Sequence, residues 1–317
     1  MRCALFTLVL GALTIVGCAH TQTLMDGPSI LVLGTSQDGG TPQTGTHDEP
    51  GWFDPSHRHM VSSLALIDPT TNQQWIFDAT PDFPEQLYLL DTTLQEFGLE
   101  LGVAGIFLTH AHMGHYTGLM HLGHESMGAQ GVPVYAMPRM RHFLSTNGPW
   151  DQLVVLNNIE LRAINDRQPT PLSHRISATP FLVPHRDEYS ETVGYRIQAG
   201  DSLVIFIPDI DSWDLLDTQG TRLEALVASS TLIFIDATFY DDNELPNRDM
   251  SQIPHPRILA TMDRLQHMPE AERAKVHFIH MNHTNPAQHP ASPERANILR
   301  RGFNVARTGQ IYPIQPQ

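Results

Sequence analysis

Three histidines, His110, His112 and His115, fall within six residues of the stretch LTHAHMGHYTGL, directly after an apolar run at 103–108. Imidazole nitrogens are good ligands for zinc, manganese and iron, and an imidazole buried without a partner costs free energy. In extended backbone, residues two apart point the same way, so His110 and His112 present both rings to one ion. A turn after Met113 then swings His115 towards a neighbouring position. Taken alone, the same loop has a lesser alternative reading as a His-rich surface segment in a chain with 18 histidines. Other residues argue for chemistry because they too follow apolar runs, where a scaffold gathers them at one edge. His185 follows FLVP, Asp209 follows LVIFIP with Asp211 two residues on, and His280 follows VHFI with His283 close behind in HMNHTNP.

The elements that carry these residues are legible as strands and helices. Apolar, β-branched runs predict strands at 30–33, 61–67, 75–77, 103–108, 134–136 and 153–161, then at 181–183, 193–197, 203–207, 232–235 and 276–279. Helical spacing appears at 84–97, where Leu87, Leu90, Leu94 and Phe97 recur, and again at 139–144, 222–227, 256–265 and 293–300. The irregular alternation favours two sheets with covering helices over a regular parallel βαβ array. A chain of 317 residues with 41% apolar content can bury a large core, and it shows no repeat or low-complexity tract, so one domain over 29–317 is expected.

Charge narrows the partners. The formal net charge is -15 and the only lysine is Lys275, so the basic footprint that neutralises nucleic-acid phosphates is missing and a small-molecule substrate is expected. Cys3 and Cys18 are the only cysteines and both lie in the first 18 residues. The globular part therefore has no disulfide or thiolate, and a metal site must use histidine and carboxylate. Arg2 followed by an uncharged stretch at 3–16, too short for a confident membrane span, reads as a signal peptide over 1–17. Its end, Ile15-Val16-Gly17-Cys18, resembles the lipobox of bacterial lipoproteins. That resemblance implies a lipid on Cys18, a tether at 18–28 and an exported protein anchored to the membrane of the cell envelope. Nothing in the sequence sets an oligomeric state.

The order HxHxxH, then His, then Asp, then His resembles the metallo-β-lactamase superfamily. The resemblance implies an α/β (α+β) fold, the four-layer αββα sandwich, with a metal site at one edge of its two sheets. IFDATPD at 76–82 is similar to an early strand-end motif of that family, which makes Asp78 the buried carboxylate bracing the histidine loop. LVPHRDEYSETVGYRI is similar to the segment around the third-motif histidine of the phosphodiesterase branch, which includes tRNase Z and the cyclic phosphodiesterase of phosphonate metabolism. IFIPDID resembles the strand leading into the bridging aspartate, Asp209. Within the superfamily, LGTSQDGGTPQ, HYTGL and FIHMNHTNP resemble the pyrroloquinoline quinone biosynthesis protein B group, which has largely lost the three-histidine loop that this chain keeps. By this resemblance His110, His112 and His185 hold a first ion, while His115, Asp209 and a late histidine hold a second. His280 is preferred to His283 for that role, since it ends a strand. Zn2+ is the expected ion, one or two per chain, with Mn2+ or Fe as alternatives.

Two departures from the family pattern matter. Gly114 stands where HxHxDH has an aspartate for the second ion, leaving Asp38 or Asp211 as substitutes. IDATFYDD at 235–242 resembles the HEATF segment of tRNase Z with Ile235 in place of its proposed proton-donating histidine, leaving His255, His283 or a metal-bound water as the acid. Because bound metal lowers the pKa of water to about 7, the expectation is an exported metal-dependent hydrolase acting on a small ester, lactone or phosphodiester. The alternative is a non-hydrolytic protein of pyrroloquinoline quinone metabolism.

Overall fold

A computed structural model describes residues 25–314. Six strands, β1 (Ser29–Gly34), β2 (Ser63–Asp68), β3 (Gln73–Phe77), β4 (Val103–Phe107), β5 (Val132–Ala136) and β6 (Ile159–Ala163), run in sequence across a first sheet. A second sheet follows with β7 (Thr170–Pro171), β8 (Ile176–Leu182), β9 (Val193–Ala199), β10 (Ser202–Ile207), β11 (Leu232–Asp236), β12 (Val276–Ile279) and β13 (Asn304–Val305). The last strand, β14 (Ile311–Pro313), returns to the edge of the first sheet beside β1. Both sheets are built alike: pairing is antiparallel up to β3 and up to β10, and parallel from there to β6 and to β13. The carboxyl ends of parallel strands are where open α/β sheets bind ligands, and each sheet contributes such an edge.

Helices cover the two outer faces. On the first sheet lie α1 (Phe83–Glu96), a single turn α2 (Met113–Tyr116), α3 (Pro138–Thr146) and α4 (Trp150–Val155). On the second lie α5 (Trp213–Thr218), α6 (Leu223–Ser229), α7 (Ile258–Leu265), the short α8 (Glu270–Arg273) and α9 (Pro293–Arg300). Helix α1 starts with Pro84 in its first turn and stops before Gly98 in the left-handed region, a common way to open and close a helix. Its Leu90 and Leu94 pack with Leu33, Ile76 and Ile106. Between the sheets, Phe77 and Phe107 meet Tyr195, Val204 and Phe206, while Ile205 and Ile207 of the same strand point outward to α5–α7. Burial on both faces explains why β10 reads as an unbroken apolar run. The result is the four-layer αββα sandwich.

One expected strand divides. Leu153 to Val155 of the run at 153–161 close α4, Asn157 turns the chain in the left-handed conformation that asparagine tolerates, and β6 starts only at Ile159. The expected signal peptide at 1–17, Cys18 and the expected tether up to residue 24 fall outside the described residues. None of the described helices is long and apolar enough to cross a membrane.

His277 on β12 is buried against Phe234 and Tyr312 and its Nδ1–H donates to the Lys275 carbonyl at 3.0 Å. Burial pushes its pKa from 6.5 down to about 4. The unfolded chain takes up this proton first, so the neutral ring's contribution is complete above pH 6.5 and is lost as pH falls from there towards 4, about 3 kcal/mol in all. Urea unfolding of wild type and His277→Phe across that window is expected to give a shallower loss of stability in the variant. Parallel slopes would contradict the assignment.

Candidate metal centre

The site lies where the carboxyl ends of β3, β4, β8, β10, β11 and β12 converge. At the end of β4 the chain runs extended through His112 and then makes the single turn of α2, with His115 N–H donating to the His112 carbonyl at 3.0 Å. That turn separates His115 from the pair before it. His110 Nε2 and His185 Nε2 lie 2.9 and 3.1 Å from His112 Nδ1, and 3.5 and 3.1 Å from Asp209 Oδ2. These four atoms form one compact donor group. On the other side of the same Asp209 oxygen stand His115 Nε2 and His280 Nε2, each 3.9 Å away. Asp38 Oδ1 completes that second group at 3.1 Å from His115 Nε2 and 3.5 Å from His280 Nε2.

Hydrogen bonds behind the rings determine which nitrogen faces the centre. Asp78, fully buried after β3, accepts from the Thr109 N–H at 2.7 Å, the Thr109 hydroxyl at 2.9 Å and His115 Nδ1–H at 2.7 Å. Having donated to Asp78, the Thr109 hydroxyl accepts from His110 Nδ1–H at 3.0 Å. The second sheet repeats the device. Asp236, fully buried at the end of β11, accepts the Thr238 N–H and hydroxyl at 2.8 Å each, and Thr238 in turn accepts from His280 Nδ1–H at 3.1 Å. Asp211 takes His185 Nδ1–H at 2.7 Å and Glu188 takes His112 Nε2–H at 3.1 Å. Every ring of the two groups thus turns a lone pair inward, the arrangement that outer hydrogen bonds give metal-binding histidines.

In the first group the inward nitrogens meet one another, whereas in the second they meet no donor. His115 Nε2, His280 Nε2, Asp38 Oδ1 and Asp209 Oδ1 are buried without a hydrogen-bonding partner among the described residues. Acceptors facing acceptors at 3.1–3.9 Å require a cation or protons between them. In the ion-free chain, protons do this work. Burial alone lowers histidine, but at His115 the Asp78 charge and the Asp38 contact outweigh it and hold the pKa well above the ordinary value. At His185 burial is likewise outweighed by Asp209 and Asp211, which raise it to about 10. Burial raises Asp209 and Asp38, yet the surrounding histidines hold both well below the usual carboxylate range. His110, by contrast, is pushed well below its ordinary value by burial and by the charge on His115. The donor set of nitrogen and oxygen suits Zn, Mn or Fe, and loading it releases the protons.

The structure sorts the sequence candidates. His110, His112, His115, His185, Asp209 and His280 come together, and Asp78 and Asp211 sit behind the rings. Of the two substitutes for the aspartate missing at 114, Asp38 is the one whose carboxylate enters the second donor group, as a member of it and not as an outer support. Asp211 is committed to His185 on the far side of that ring and is not a substitute for the missing aspartate. His283 belongs to neither group: its Nδ1 lies 2.8 Å from Glu49 Oε1, in a separate pocket with His57, His59 and His289. The late histidine of the cluster is His280, and His283 is removed as the acid. His255 lies beside the cluster, with Nδ1 2.8 Å from Asp236 Oδ2 and 3.4 Å from Asp209 Oδ1. Asp236, Thr238, Thr109 and Glu188 were not foreseen. Asp236 had a readable signal, because a carboxylate closing the apolar run at 232–235 repeats the pattern of Asp78.

A sequence model of the beta-lactamase superfamily domain matches residues 74–281, more than half of the chain. The chain belongs to that superfamily. Its sandwich is the metallo-β-lactamase fold, shared with Zn(2+)-bound PqqB from Methylobacterium extorquens at a TM-score of 0.72 and 22% identity, over 90% of this chain and 99% of that one. A diphosphatase of the PhnP family superposes with a TM-score of 0.61 and 20% identity, over 90% of this chain and 96% of that one. In sequence, the coenzyme PQQ synthesis protein B of Xanthomonas campestris pv. campestris is 28% identical over 311 residues, covering 88% of this chain and 98% of that protein.

Removing Asp78 leaves the Thr109 donors and His115 Nδ1–H buried without an acceptor. Asp78→Ala is therefore expected to cost about 3–5 kcal/mol in urea unfolding of the metal-free protein, and a cost below about 1 kcal/mol would contradict its role in holding the loop.

Proposed function

We propose that this superfamily member is a metal-dependent hydrolase of a small ester, lactone or phosphodiester, with the phosphodiester favoured. The observation that carries the reading is Asp209 Oδ2, flanked by two donor groups, with His115 Nε2, His280 Nε2 and Asp38 Oδ1 of the second left without a hydrogen-bonding partner. His110, His112 and His185 would hold one ion, His115 and His280 a second, with Asp209 common to both and Zn2+ the favoured metal. Bound there, the ions supply Lewis acidity and lower the pKa of water to about 7, and a pair suits in-line displacement at phosphorus. A PhnP-family diphosphatase has the same fold, which supports chemistry at phosphorus on such a scaffold.

The chain's own acid is His255. Burial lowers its pKa, but the charges of Asp236 and Asp209 outweigh this and raise it above the ordinary histidine value, which favours the protonated ring that an acid needs. Asp236 fixes Nδ1–H at 2.8 Å, which leaves Nε2–H as the proton for a departing oxygen. Phe239 packs against the same ring with centroids 5.9 Å apart and limits water on that side. His255 thus stands in for the histidine that the IDATF segment lacks.

A second reading comes from the near full-length similarity to coenzyme PQQ synthesis protein B: a role in the metabolism of that coenzyme without hydrolysis. Assaying phosphodiester, ester and lactone substrates beside a binding measurement with pyrroloquinoline quinone separates the two. We further propose that the chain is exported and lipid-anchored through Cys18, on the strength of Ile15-Val16-Gly17-Cys18. Intact mass of membrane-extracted protein should then show acyl chains, and an unmodified Cys18 would refute it.

His110→Ala is expected to abolish turnover. His255→Ala should lower kcat about 10²–10⁴-fold for substrates with poor leaving groups, the usual worth of a general acid, and far less for nitrophenyl substrates. An equal loss on both substrate types would rule His255 out as the proton donor.

A further inference from the structure

Gly114 is buried in α2, and its backbone is not in the left-handed region that favours glycine. Conformational freedom does not explain it, and glycine is a poorer helix former than alanine. Space does explain it. A Cβ built on Gly114 would lie 2.4 Å from Asp38 Oδ1, 2.5 Å from Asp38 Cα and 2.8 Å from Asp38 Cγ. No side chain fits at 114 while Asp38 is where it is.

We infer that the carboxylate of the second ion has moved between loops: Asp38, after β1, supplies it, and Gly114 is the vacancy that lets Asp38 in. The inference rests on the two-group centre proposed above. Asp38 Oδ1 meets two histidine nitrogens, on His115 and His280, whose rings are completely buried and whose hydrogens are committed elsewhere, to Asp78 and Thr238. All three facing atoms lack a hydrogen-bonding partner, so the pocket is shaped for a cation at that point. The loop is also held in register with its neighbour. Gln37 N–H donates to the Met281 carbonyl and Met281 N–H to the Thr35 carbonyl, each at 2.9 Å. Asp38 and His280 are thereby carried on adjoining, mutually bonded segments. His280 itself is in the left-handed conformation at φ 64°, a strained setting for a non-glycine residue that ligand sites often hold.

The test is zinc stoichiometry by elemental analysis, with competition against a chromophoric chelator, after stripping and reloading the full-length protein. Wild type, Asp38→Asn, Asp38→Gly and Gly114→Asp are compared, with circular dichroism to confirm folding. Wild type is expected to hold two ions. Both Asp38 variants should hold one, with second-ion affinity weakened at least about 100-fold, the upper end of the loss from removing an outer partner of a ligand. Gly114→Asp should melt at a lower temperature than wild type, because its Cβ would meet the Asp38 Cα as well as the Asp38 carboxylate. Asp38→Asn serves if Asp38→Gly does not fold. Two ions of unchanged affinity in the Asp38 variants, or a Gly114→Asp variant as stable as wild type, would overturn the inference while leaving the centre intact. A wild type with one ion also overturns it alone, whereas a wild type with none overturns the metal-centre reading as well.

Discussion

The structure depends on one buried carboxylate oxygen. Asp209 Oδ2 lies within 3.9 Å of nitrogens from His110, His115, His185 and His280, and an ionised carboxylate so deep in the protein is tolerable only if compensated. Compensation must come from several directions at once, and this sets the demands on the fold. Rings have to arrive from both sheets, each in a fixed tautomer and each supported from behind. Protons satisfy the charge in the ion-free chain, and a cation set uses the same atoms, so the centre is pre-organised for metal by the requirement of keeping Asp209 ionised.

The two sheets meet that demand with the same device. From the first, Asp78 orients His115 directly and His110 through Thr109; from the second, Asp236 orients His255 directly and His280 through Thr238. Each carboxylate sits at the end of a strand, β3 or β11, within the parallel part of its sheet. Among the described residues only five other than glycine are left-handed, and Asp78 and His280 are two of them. Strain is concentrated where side chains are re-aimed from a strand edge into the centre. The outcome divides labour, since one relay serves the donor groups alone while the other also serves His255, which touches Asp209 from outside them.

Much of this was legible in the sequence, for a physical reason. Strands buried on both faces leave long apolar runs, so their ends, and the polar residues just beyond, are visible without knowing the fold. That is how His110, His185, Asp209 and His280 could be picked out, and why the family's motif order made the sandwich readable. What escaped was set by proximity that only folding creates. Asp38 and Asp211 are both legible as substitutes for the aspartate missing at 114, but Asp38 is 76 positions away and nothing local chooses between the two. Glu188 reaches His112 across the gap between sheets, and His283 is three residues from His280 yet faces another pocket. The run at 153–161 misled because helix α4 and strand β6 are both apolar and meet at an asparagine turn, where periodicity over so few residues cannot separate them.

The most direct check of the central claim is anomalous diffraction at the zinc edge from crystals of the zinc-loaded protein. The account predicts two peaks, one on each side of Asp209 Oδ2, the first among His110, His112 and His185 and the second among Asp38, His115 and His280. A single peak elsewhere, or none within coordination distance of Asp209, would contradict it.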